Sequence, residues 1–255
     1  MDDQIDQELL KRSFSLSEQI FNALLEHAAL VETHGAIGVI VGTQNLQTLV
    51  NKKFGGVTDY SEFESNGFLH HAGKSGGYDD IQFNMTPKST GAGHPTLATW
   101  NTDFEEWSYA VGDHANGVGG EVPHWWKEGE NWSPHIHWTT GSGNYVSGDK
   151  VQWRVFICAA DSKETAPYTQ FPAATVLDIE HVFSETVLPF SGVRSKFPDF
   201  TIPASLTKIG GQIKVKIQRI AKSAGGTNPG TDPFVLQVGA HALSDTRTSR
   251  TIGSK

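Results

Sequence analysis

The chain has 255 residues, a formal net charge of −8, 27 glycines, 11 prolines and only 19% charged residues. With 37% hydrophobic and 10% aromatic content it can bury a core, which excludes disorder throughout. The glycine load and the scarcity of Lys and Glu exclude a helical bundle or coiled coil over most of its length, and the acidic balance disfavours nucleic acid as a partner. In chain order, the first segment carries the one convincing helical pattern. Ser15-Leu-Ser-Glu18 fits a capping box, a hydroxyl at the N-cap with a carboxylate three residues on. Leu16, Ile20, Phe21, Leu24, Leu25 and Ala28 follow at helical spacing, and His34-Gly35 supplies a stop. Gln4 to Arg12 reads as a short separate turn. An apolar stripe of this kind must be buried on something, either the chain's own β domain or a partner subunit. The acidic opening MDDQIDQELL predicts no signal peptide, and the longest apolar run, Ala36 to Val41, is too short for a membrane span.

From about Val57 the periodicity changes to two. Ile81, Phe83 and Met85 alternate, as do Trp107, Tyr109 and Val111. The cleanest strand runs from Lys150 to Ala159, with Val151, Trp153, Val155 and Ile157 on one face. Ile213, Val215 and Ile217 mark another strand, and Phe234, Leu236 and Val238 another. Weaker strands are predicted near 67–71, 97–100, 133–140, 173–183 and 198–203, separated by turn signals such as Gly117-Val-Gly-Gly120 and Gly225-Gly-Thr-Asn-Pro-Gly230. The prediction is a mainly β fold: residues 1–56 as an N-terminal helical arm, and 57–255 as a β-sandwich or jelly-roll of about 8–10 antiparallel strands. Charge is uneven, with 12 acids and 3 bases over 57–147 against 9 acids and 13 bases over 148–255. That asymmetry reads as solvated faces or as a device to orient subunits. The only cysteine, Cys158, lies in an apolar run and reads as a small buried hydrophobe rather than a nucleophile.

The densest stretch is His124-Trp-Trp-Lys-Glu-Gly-Glu-Asn-Trp-Ser-Pro-His-Ile-His-Trp138. All seven tryptophans fall between Trp100 and Trp153, and four are here. In a strand, His135 and His137 point to one face, close enough to share a metal ion. With Gly129 the stretch reads G-x5-H-x-H, which resembles the opening of the first metal motif of the cupins, themselves jelly-rolls. The cupin carboxylate four or five residues on is replaced by Gly141 and Ser142, and the second cupin motif is missing. Two histidines fall short of the usual ligand count; His124, His70, His71 or His241 could add to them if the fold brought them close. A cupin-like metal-dependent enzyme is thus the alternative reading. Trp125, Trp126 and Trp132 could form a sugar-stacking platform, a protein interface rich in hot-spot residues, or an aromatic core. No G-x-S-x-G, phosphate-binding loop, dinucleotide fingerprint, H-E-x-x-H or EF-hand loop occurs. No catalytic residue and no cofactor is therefore expected.

The run Val122 to Thr139 resembles a group of structural proteins encoded by tailed bacteriophages, which read approximately LPHxWKEG(S/T)xxxPHVHW. Tyr78-Asp-Asp-Ile-Gln-Phe83, Val151-Gln-Trp-Arg-Val155 and Asp245-Thr-Arg-Thr-Ser-Arg250 fit the same order around it. The similarity spans about 57–250. It implies a β-sandwich virion component, assembled in the host cytoplasm as a homo-oligomer, with a homotrimer first in view. The implied partners are other virion proteins: major capsid, neck or tail. The interface candidates are then Leu16, Ile20, Phe21, Leu24 and Leu25 on the arm, with Trp125, Trp126 and Trp132 on the β domain.

Overall fold

The computed structural model describes residues 53–63, 69–72, 76–117 and 120–245, all within the second of two compact units, Val50–Lys255. The predicted arm helix, with Leu16, Ile20, Phe21, Leu24 and Leu25, lies outside the described residues. The described part is all β, and its named strand pairs are all antiparallel. It begins with β1 (Lys53–Gly55), β2 (Tyr60–Phe63) and β3 (Leu69–His71), a small sheet of their own. Then follow β4 (Tyr78–Phe83), β5 (Met85–Pro87), β6 (Thr96–Trp100), β7 (Phe104–Ser108), β8 (His114–Gly117) and β9 (Gly120–Glu121). The longer strands are β10 (Trp132–Thr139), β11 (Lys150–Ala160), β12 (Thr175–Val182), β13 (Gly192–Lys196), β14 (Gln212–Ile220) and β15 (Phe234–Leu243).

Two six-stranded sheets carry the fold. One contains the order β4-β15-β10-β13, the other β8-β14-β11-β12. Followed along the chain, every connection among these eight strands changes sheet except β11 to β12. That is jelly-roll connectivity, two interlocked Greek keys. The β6–β7 hairpin extends the first sheet through Ser108 opposite Phe234, while β5 and β9 extend the second.

The alternation read in the sequence becomes the inner face. Val151, Trp153, Val155, Ile157 and Ala159 of β11 are at most 1% exposed. They face Trp132, Ile136 and Trp138 of β10, each wholly buried. Trp138 meets Trp153 across the sandwich, ring centroids 5.9 Å apart, and its indole Nε1 donates to Ser195 Oγ at 3.1 Å.

The structure corrects several expectations. Ile81 to Met85 is not one strand: β4 and β5 lie in different sheets, because the chain crosses the sandwich at Asn84. The stretch 198–203 forms only an isolated bridge between Phe200 and Trp132. Lys53–Gly55, inside the segment read as a helical arm, is strand β1. Cys158 points to the outer face of β11 and is only half-buried, with burial raising its thiol pKa. The inward parity of β14 ends in a charge: Arg219 continues the row Ile213, Val215, Ile217 and is 2% exposed.

His181 on β12 packs its ring on Phe183 at 4.7 Å and Trp138 at 5.7 Å. Burial lowers its pKa below the ordinary 6.5. The unfolded chain therefore binds the proton more readily, and this contribution to stability, complete above pH 6.5, is lost as pH falls through the folded value. Thermal melts taken from pH 7.5 down to 5 should show a falling Tm, and His181→Leu should flatten that slope. An unchanged slope in the variant would remove His181 from the account.

Candidate functional site

The motif that dominates the sequence is spent largely on architecture. Trp126 and Trp132 are completely buried, with rings 5.7 Å apart and edge-to-face, and Trp132 also lies 5.5 Å from Phe200. This corrects their reading as interface or sugar-stacking residues, because neither ring has a face left for a partner. Trp125 is half-buried against the same core. The connecting Lys-Glu-Gly-Glu is an ordered turn. The Glu130 carbonyl accepts from Trp126 Nε1 at 3.0 Å, Lys127 pairs with Glu130 at 3.4 Å, and Glu128 Oε1 accepts from the Ile209 backbone N–H at 3.1 Å. Gly129 has φ +84°, a conformation that disfavours any residue with a Cβ. The motif is thus a folding signature for β10 and the loop that feeds it.

Its histidines are a different matter. The parity that buries Trp132, Ile136 and Trp138 turns Ser133, His135 and His137 to the outer face of the sheet. A cupin-style pair would project into the interior, so the cupin-like reading of His135 and His137 is not what this strand builds. The register decides what His135 meets instead. It stands opposite Gly239 of β15 on one side and Lys196 of β13 on the other. A Cβ at position 239 would sit 3.3 Å from His135 Nε2, so the absence of a side chain there lets the imidazole lie flat over β15. Two residues further along, Ser133 faces His241, and His241 faces Asp80 of β4.

The result is a polar depression across β4, β15, β10 and β13. His135 and His241 stack at 4.4 Å, and His137 meets His135 edge-on at 5.1 Å. His241 Nε2 lies 2.9 Å from Asp80 Oδ1. Although it faces outward, His135 is only 2% exposed, and among the described residues its enclosed Nδ1 has no partner in good hydrogen-bond geometry. Burial above all, with His241 adding to it, lowers its pKa below the usual imidazole value, against weaker upward pulls from Asp80 and the Ser133 backbone. Tyr78, Arg194, Lys196 and Asp199 line the rim, with Asp199 accepting from Ser133 Oγ at 2.6 Å and lying 3.6 Å from Lys196.

The other histidines named from the sequence are elsewhere. His124 is tied to Glu121 at 3.2 Å, His70 lies 3.5 Å from Glu62, and His71 Nδ1 shares a 2.6 Å hydrogen bond with Ser61. Of the possible additions to the pair, the fold delivers His241, through a pairing of β10 with β15 that no local pattern announces. Asp80 enters the sequence reading only within the Tyr78–Phe83 run; its register opposite His241 gives it a different significance.

No protein-family model matches the chain, and no curated protein sequence matches it. Among solved structures it is similar to a Paenibacillus sp. cycloisomaltooligosaccharide glucanotransferase in complex with cycloisomaltoheptaose, at 11% identity and a TM-score of 0.27. That alignment covers 67% of this chain and 19% of the other. The chain thus spans about a fifth of that enzyme's length, and a likeness at this level carries no argument about activity.

Proposed function

We propose that this chain is a non-enzymatic structural protein of a tailed-bacteriophage virion, a capsid decoration protein in the first instance and a neck or tail component in the second. The observation that carries the reading is the Val122–Thr139 motif. Its resemblance to phage structural proteins is to residues that here specify the β10 strand and the ordered turn before it, so the resemblance is one of fold-determining positions. Jelly rolls are widely used in capsid proteins, and the step from fold to virion rests on the motif. The jelly roll self-associates as a homotrimer, and the N-terminal segment 1–56 docks on another virion protein. Assembly takes place in the bacterial cytoplasm.

The test is peptide counting by mass spectrometry on purified particles of the phage that encodes the chain. A copy number on the scale of the capsid lattice supports decoration, and a ring-sized number supports the neck or tail. Absence from particles overturns the proposal. Light scattering on the purified protein should return three times the chain mass, and a chain lacking residues 1–56 should no longer be incorporated.

A further inference from the structure

We propose that Asp80, His135 and His241 form a binding site for one divalent transition-metal ion, of the Zn²⁺, Ni²⁺ or Co²⁺ class, that clamps β4, β15 and β10 together. Each residue offers one ligand atom, and the three atoms lie within 4.8 Å of one another. The donor set is two imidazoles and a carboxylate, which suits borderline ions and not Ca²⁺ or Mg²⁺, whose preference is for oxygen.

The second observation is His135 itself. It is 98% buried on an otherwise polar face, yet among the described residues its Nδ1 finds no partner in good hydrogen-bond geometry, with only a weak interaction from the Ser133 backbone. Enclosing an imidazole nitrogen without a partner is unfavourable. The register holds it there, over the missing side chain of Gly239 and beside His241.

The three ligands come from three adjacent strands, so an ion would cross-link β4, next in line on this side of the sheet, to β15 and β10. Coordination places the ion in the plane of each ring, whereas the rings now stack with 30° between their planes. A rotation of His241 about its ring torsion resolves this. His241 is the more exposed of the pair, and the 2.9 Å contact it gives up is to Asp80, which becomes a ligand in its place. The three protein donors leave further coordination positions toward the depression lined by Tyr78, Ser133 and Asp199.

The proposal is independent of the virion reading and is tested on the full chain, stripped with chelator and titrated with Zn²⁺, then Ni²⁺ and Co²⁺, by calorimetry. One ion per chain is expected, with a raised Tm, and for Co²⁺ a visible absorption band. His241→Ala and Asp80→Asn change half-exposed side chains and should leave the fold intact while weakening Zn²⁺ binding roughly 100-fold or more, since even outer-shell partners cost 10–100-fold. His124→Ala should leave it unchanged. His135→Ala should abolish binding if the variant folds, and the other two variants decide the matter if it does not. No saturable binding by the wild type, or binding unaffected by His241→Ala and Asp80→Asn, overturns the site.

Discussion

Trp138→Ala should lower the free energy of unfolding by about 3–5 kcal/mol, the range for emptying a buried aromatic position. Trp138 is wholly buried and lies in edge-to-face contact with Trp153 at 5.9 Å, His181 at 5.7 Å and Phe183 at 6.0 Å. Trp153 and His181 belong to the opposite sheet and Phe183 directly follows its strand β12, so the ring joins the two layers rather than extending one. Truncation also leaves Ser195 Oγ, on β13, without the indole proton it receives. The surrounding rings are large and rigid, so the cavity has little scope to collapse, which places the cost at the upper part of the range. Urea unfolding should show a large drop in midpoint at an unchanged m value. Trp125→Ala, at a half-buried position, should cost clearly less. Equal midpoints for the two variants would contradict the assignment of Trp138 to the centre of the sandwich.

Asp232→Ala should cost about 3 kcal/mol and Arg219→Met distinctly less, an asymmetry that follows from where each charge lies. Arg219 is 2% exposed and directs its guanidinium to the Tyr109 carbonyl at 2.6 Å and to the Asp232 carboxylate. Asp232 is 45% exposed. Removing the carboxylate strands a buried cation, whereas removing the guanidinium releases a carboxylate that water can solvate. The estimate sits at the bottom of the range for an orphaned buried charge because solvent reaches the Asp232 side. Methionine further replaces the lost charge with apolar volume, and buried pairs exchanged for well-packed apolar groups are often neutral. Chemical denaturation of the two single variants and the double variant gives the coupling directly. If Arg219→Met proves the more damaging of the two, the guanidinium's bond to Tyr109 outweighs its pairing with Asp232.

The legible part of the fold was the part with local periodicity. β11 alternates without interruption because one face of it is core and the other is wet, and its predicted bounds agree with the structure to a residue. β14 was visible for the same reason; β15 was located, but the row Phe234, Leu236 and Val238 is not one face, because the register shifts there and leaves Leu236 exposed while Val235 and Val238 join the core. Strands such as β8, β9 and β13 are short, glycine-bearing or edge elements whose side chains show no clear alternation, so nothing in their own residues marked them. The break between β4 and β5 was missed because Ile81, Phe83 and Met85 keep one parity across a crossing between sheets. The tryptophan cluster was correctly located but could not be assigned from composition: the same aromatic residues suit a core, an interface or a sugar platform. Burial of Trp126 and Trp132 decides for the core.

By itself the sequence determined that this chain is a turn-rich antiparallel sandwich, that its Trp-rich stretch is the informative one, and that His135 and His137 share a strand face. Those properties follow from periodicity, glycine spacing and aromatic content, each readable within a dozen residues. Only the tertiary structure decided which way that face points and what lies beside it. Indoles at Trp132 and Trp138 took the inner parity, so the histidines were turned outward. Long-range pairing of β10 with β15, and of β15 with β4, then set Gly239, His241 and Asp80 against His135. A register between segments more than a hundred residues apart is fixed by the joint packing of two faces, and no window of the sequence contains it.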